Sequence, residues 1–178
     1  LSLLYRLTGD IRAYEHMKKI ADNLSKSKMV TEGATWMTAR EPGWAMVALT
    51  AVYDGTGDKT YLHIAEKLAD LVIKLADGKG VWHRPLESRN CMYLKYPDHP
   101  RCMGELSFPV AFQSAGMIRV YERTGREDVR KNIIEAAQYI LERIYRRDLK
   151  AFQHSPCPLR KQNPKLGGVI GVNMWYPL

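Results

Sequence analysis

The sequence lacks any apolar run near the roughly 18 to 20 residues needed to span a bilayer. Its richest stretch, around Leu68 to Ala76, is broken by Asp70 and Lys74, so no membrane insertion is expected. It also lacks a phosphate loop. Gly167-Gly168-Val169-Ile170-Gly171 has neither the Lys-Ser/Thr pair nor the strand-and-helix setting that nucleotide binding requires. The three cysteines, Cys91, Cys102 and Cys157, do not have the C-x-x-C spacing of a structural zinc site. His83, His99 and His154 supply further ligand types at spacings that match no zinc pattern, so no metal and no cofactor is expected. Cys91 and Cys102 would close a loop in an exported protein, but the odd count leaves one thiol over, and free structural thiols are the default expectation. Leu1 to Leu7 reads as the end of a helix already under way and not as a signal peptide. The chain is therefore expected to be a fragment of a longer protein.

Acidic residues are also short, with 19 Asp and Glu against 27 Lys and Arg, a net charge of +8. Such a balance favours polyanions by long-range attraction. The densest basic cluster, Arg143, Arg146, Arg147 and Lys150, follows helical spacing at a helix end, where cations complement the helix dipole. That arrangement reads as a solvated helix end, and no nucleic acid is expected as partner. What the chain has in quantity is apolar residues, 46% of its 178, enough for a substantial core.

A repeat gives those residues their order. Tyr5-Arg6-Leu7-Thr8-Gly9-Asp10, Tyr53-Asp54-Gly55-Thr56-Gly57-Asp58 and Tyr121-Glu122-Arg123-Thr124-Gly125-Arg126 share the pattern Tyr-x-x-Thr-Gly. Gly9 and Gly57 are 48 positions apart, and the same offset sets Lys19-Ile20-Ala21-Asp22 on Lys67-Leu68-Ala69-Asp70. Each copy suits a tight connection between helices: Gly ends one helix in the left-handed conformation, and Asp10 or Asp58 caps the next. After the turns, Tyr61, Ala65, Leu68, Ala69 and Val72, and likewise Val129, Ile133, Ala136, Ala137, Ile140 and Ile144, recur at amphipathic-helix spacing. Before the turns, Trp44 to Val52 and Val110 to Val120 carry apolar residues around the whole axis, which predicts inner helices buried on every side. The pattern predicts an all-α helical-hairpin toroid segment over 1–178, with hairpins at about 1–24, 42–76 and 109–147. A tetratricopeptide-like solenoid fits less well, since its period is roughly 34 residues.

Arg40-Glu41-Pro42-Gly43-Trp44, the run to Tyr53, Thr56-Gly57-Asp58 and Tyr61-Leu62 resemble a hairpin of the six-hairpin glycosidase and (α/α)6-toroid polysaccharide lyase superfamily. The resemblance implies part of an (α/α)6-type barrel, a carbohydrate-active enzyme, and a periplasmic or secreted location. It also implies that the sugar funnel opens where inner helices begin.

Loop length leads to the same rim. The Thr-Gly turns occupy one end of the hairpins, so the long connections, Ser25 to Pro42, Ala76 to Pro109 and Tyr145 to Leu178, lie at the other, where binding groups concentrate. Trp36, Arg40, Trp44, Trp82, Arg84, Tyr93 and His154 are the expected substrate-binding residues there, aromatic faces stacking on sugar rings and polar groups bonding hydroxyls. Loop anchoring is the competing reading for each aromatic. For hydrolysis by paired carboxyl groups, Glu41 and Glu105 are the best-placed candidates, with Asp98 a third. Glu41 also has a plainer reading, as a carboxylate favoured at a helix N-terminus. A lyase needs instead a base for the proton beside a uronate and a cation for its carboxylate, which His83 and Arg84 offer. The expected partner is an oligo- or polysaccharide, and an acidic one would suit the charge of +8. Glycoside hydrolysis is the leading expectation, with a lyase and a non-catalytic binding scaffold as alternatives.

Overall fold

The computed structural model describes residues 1–33, 38–76, 82, 107–148 and 150–152. Helical hairpins follow one another along the chain: α1 (Ser2–Thr8) with α2 (Ile11–Ser25), then a short α3 (Lys28–Thr31), α4 (Arg40–Thr56) with α5 (Lys59–Leu75), and α6 (Ser107–Thr124) with α7 (Glu127–Tyr139). A single π-helical turn, Ile140–Ile144, extends α7. Two-residue strands β1 (Tyr145–Arg146) and β2 (Ala151–Phe152) then pair antiparallel, with Tyr145 opposite Phe152. The class is all-α.

The turn chemistry repeats almost atom for atom. Gly9, Gly57 and Gly125 take φ of 69°, 73° and 65°, a region open to glycine at no steric cost. Their N–H groups donate to the carbonyls of Tyr5, Tyr53 and Tyr121 at 2.7, 2.8 and 2.8 Å, closing the helix ends. The threonines explain the third fixed position of the motif. Thr8, Thr56 and Thr124 donate back to the carbonyls of Leu4, Val52 and Val120 and accept from the N–H groups of Asp10, Asp58 and Arg126. Each hydroxyl thus links the end of one helix to the start of the next. Asp10 and Asp58 cap α2 and α5 by accepting from the N–H groups of Arg12 and Thr60. Arg126 replaces the aspartate in the third copy, and α7 begins without a side-chain cap.

The helices form two layers. In the inner one, α4 packs against α1 on one side and α6 on the other; α2, α5 and α7 form the outer one, and α2 and α5 also touch the inner helix of the following hairpin. The α4–α6 contact is closest at Gly43 and Gly116. A Cβ on Gly43 would stand 2.5 Å from the Phe112 carbonyl oxygen, and one on Gly116 would stand 2.6 Å from the Gly43 carbonyl oxygen. Below them Met46, Leu49, Val52, Met117 and Val120 meet Tyr61, Ala65, Leu68, Ala69 and Val72 of α5 in one buried cluster.

Adjacent outer helices are tied by polar contacts at one repeated position. Asp22 accepts from the Tyr61 hydroxyl at 2.7 Å, while Lys18 donates to both at 3.3 and 3.0 Å. One repeat later, Asp70 accepts from Arg126 at 2.5 Å, and Asp128 accepts from the same guanidinium. The Tyr61 hydroxyl lowers the Asp22 pKa more than burial raises it, and Lys18 adds to the lowering.

One expectation needs correction. The inner helices are not buried on every side: Trp44 is 47% exposed, Ile118 is exposed, and α1 buries none of its residues. Apolar residues around an axis need a neighbour in every direction, and these positions lack one among the described residues. Among the described residues no helix is long and apolar enough to cross a membrane.

Candidate functional site

At the end of the hairpins opposite the Thr-Gly turns, α4 begins with Arg40-Glu41-Pro42. Proline is tolerated in a first turn, whose N–H groups have no intrahelical acceptor anyway. The following Gly43 lets α6 approach, which sets the Phe112 ring 4.5 Å from the Trp44 ring at an interplanar angle of 31°. Trp44 is thereby fixed along one edge and left open on the other. Beside it lies a groove of about 600 Å³ lined by Leu24, Ser27 and Met29 from the first hairpin and its extension, and by Arg40, Glu41, Trp44, Ala45 and Ala48 from α4. Its floor is apolar, and its charged groups sit together at the start of α4.

Glu41 is heavily engaged. One carboxylate oxygen accepts from the Thr38 N–H at 2.7 Å and from the Thr38 hydroxyl, and the other accepts from the Arg40 guanidinium at 3.0 Å. Burial by itself raises the Glu41 pKa, but the bonds from Thr38 and Arg40 outweigh it and hold the carboxyl below the usual glutamate range. Arg40 keeps half its side chain in solvent. The group presents an oriented cation, an ionised carboxylate with both oxygens occupied, and a half-open indole.

Arg40, Glu41 and Trp44 are therefore brought together. Trp82 is not with them: it is 1% exposed, belongs to the hydrophobic core, and its indole N–H has no partner among the described residues. That burial suits the anchoring reading given above for each loop aromatic, since a large ring gains much by full burial. Trp36, His83, Arg84, Tyr93, Glu105 and His154 lie outside the described residues, as do Asp98, His99 and the three cysteines. Among the described residues no three His, Cys, Asp or Glu side chains converge to hold a metal ion. Thr38 is the participant that sequence reading missed. Its signal was available, since Thr38-x-x-Glu41 before an apolar helix is the capping-box pattern.

No curated protein matches the chain. The family described as D-glucuronyl C5-epimerase C-terminus matches residues 11–103. That span is more than half of the sequence and contains α2 to α5, the groove and its three gathered side chains. The chain belongs to the D-glucuronyl C5-epimerase C-terminus family, a family of carbohydrate-modifying enzyme domains.

Proposed function

We propose that this chain is a helical segment of an enzyme that inverts C5 of D-glucuronyl residues in a polysaccharide. In this reading its hairpins build part of an α/α toroid of the six-hairpin kind, and the rim at the start of α4 holds the sugar. The observation that carries the reading is that the family-matched span gathers Arg40 and Trp44 along one groove. An oriented guanidinium suits a uronate carboxylate by charge-assisted hydrogen bonding, and the open face of an indole suits a pyranose ring.

The C5 hydrogen of a uronyl residue is α to its carboxyl group. Inversion needs a base that takes this proton while the C–H electron pair spreads into the carboxyl, a cation that stabilises the charge formed there, and an acid that returns a proton to the opposite face. No bond in the glycan chain breaks and nothing is oxidised. His83, Arg84 and Tyr93 fall within the matched span and have the chemical types for these roles: His83 or Tyr93 to move protons, Arg84 and Arg40 to hold the carboxylate. Trp36 and His154 are further candidates for sugar contact. Glu41 suits the role of fixing Arg40, since an ionised carboxylate with both oxygens engaged is a poor proton donor. The family match thus turns the reading away from hydrolysis by Glu41 and Glu105 and toward the proton abstraction that a lyase shares.

Incubating the protein with a D-glucuronyl oligosaccharide in D₂O separates these chemistries by NMR. Epimerisation replaces the C5 hydrogen by deuterium and leaves the chain length unchanged. New reducing ends without exchange would mean hydrolysis, an unsaturated uronate absorbing in the near ultraviolet would mean elimination, and binding without exchange would mean a scaffold.

A further inference from the structure

The groove beside Trp44 is chemically uneven along its length. Its charged groups, Arg40 and Glu41, belong to the first turn of α4, whereas Ala45 and Ala48 line it one to two turns further on. From Arg40 to Ala48 the helix rises about 12 Å, a length greater than that of one pyranose ring. Leu24 and Met29 add aliphatic surface from the first hairpin and its extension. Alanine at 45 and 48 leaves space that a longer side chain would take.

This part of the groove suits few substituents of a sugar. A hydroxyl would give up water for aliphatic carbon, and a charged group would lose far more. Of the lining residues contributed by the first hairpin and its extension, Ser27 alone is polar, and its hydrogen is already committed. The Ser27 hydroxyl donates to the Leu24 carbonyl at 2.6 Å, which leaves its lone pairs to accept. A substituent that fits must therefore carry a hydrogen-bond donor next to a small apolar group. An N-acylamino group has both, an N–H for Ser27 and a methyl for the aliphatic surface.

We propose that the groove takes the sugar next to the D-glucuronyl residue and reads an N-acyl group on it. The inference rests on the function proposed above, with the uronate at Arg40, and adds the class of the neighbouring sugar: an N-acylated hexosamine. Ser27 and Ala48 then determine specificity. Net charge works in the opposite direction. A chain of +8 attracts an N-sulfonated strand more strongly than an N-acylated one at long range, so a preference for the N-acylated strand has to come from the groove.

Isothermal calorimetry on the 178-residue chain at physiological salt tests this with three oligosaccharides. All alternate D-glucuronyl and hexosaminyl residues, and the hexosamines are N-acetylated, N-sulfonated or free amines. The N-acetylated strand should bind about tenfold tighter than either of the others. Ala48→Leu, which fills the apolar part, should remove that preference by weakening the N-acetylated strand alone. Ser27→Ala should weaken the same strand about threefold with unchanged far-ultraviolet circular dichroism. Equal affinity for the three strands, a preference for either charged one, or a preference that survives both substitutions would overturn the proposal. If the common affinity is then lost in Arg40→Ala, the uronyl reading itself stands. Failure of all three strands to bind would overturn both. The comparison of strands on the unaltered protein decides the matter even where a variant misfolds.

Discussion

At the Thr-Gly end of the hairpins the same three backbone and hydroxyl bonds recur in every copy, whereas at the opposite end α1 begins after Leu1 with no side-chain cap and α4 begins with Arg40 bonded to Glu41. The repeated end is built for reversal of the chain: a left-handed glycine, a threonine hydroxyl shared between two helices, and a cap where aspartate is available. Its polar groups are used up on each other. The opposite end spends a carboxylate and a threonine on one arginine, and leaves that arginine and a tryptophan half open. Uniform turns hold the hairpins at fixed spacing, and the variable end can then change without loss of fold. That division follows the general location of binding groups on loops carried by a rigid scaffold.

The comparison breaks first at Gly43, where the site and the scaffold meet. Gly43→Ala would drive a Cβ into the Phe112 and Gln113 backbone, which cannot swing aside as a side chain can. Overpacking of that kind costs about 3 kcal/mol, and urea unfolding should register it together with a loss of the Trp44–Phe112 contact in tryptophan fluorescence. At the repeated end, Gly57→Ala places an L side chain at φ 73° with open space around it. Only backbone strain remains, about 1 kcal/mol, and saccharide binding should not change. Equal losses at Gly43 and Gly57 would mean that the α4–α6 approach is looser than the structure has it.

A smaller effect is read by pH. Asp22 and Glu41 are both held below their ordinary pKa values. A carboxylate whose folded pKa is depressed contributes stability that is present above its unfolded pKa, near 3.8 for Asp and 4.5 for Glu, and is lost as pH falls through the folded value. The melting temperature should therefore stay level from neutral pH down to about pH 5 and decline below it. Asp22→Asn should flatten that decline slightly and lower the plateau, because Tyr61 and Lys18 lose a charged partner. A decline beginning near pH 6 would instead point to histidine.

The fold was readable because its turns are chemically explicit. Thr-Gly with a tyrosine three residues before the threonine admits few other structures, and the amphipathic faces of α2, α5 and α7 follow from spacing. Burial around Trp44 and Ile118 was overread, since an apolar side chain marks what a helix is able to bury, and only a neighbour decides whether it does. The site was readable in part. Arg40, Glu41 and Trp44 share the first turn of one helix, so their gathering needs only local structure. Trp82 went to the core instead, and the choice between rim and core for a loop tryptophan depends on long-range packing that no local pattern records. Thr38 was missed because its part in the site is to hold Glu41, and a residue that acts through another has no chemistry of its own to notice.

The most direct test is titration of the protein with a D-glucuronyl oligosaccharide by isothermal calorimetry, comparing Arg40→Ala at one rim with Lys59→Ala at the other. The account predicts that Arg40→Ala weakens binding about tenfold or more, roughly 1.4 kcal/mol, and that Lys59→Ala leaves it unchanged. Equal weakening by both substitutions, or no effect of Arg40→Ala, would contradict it.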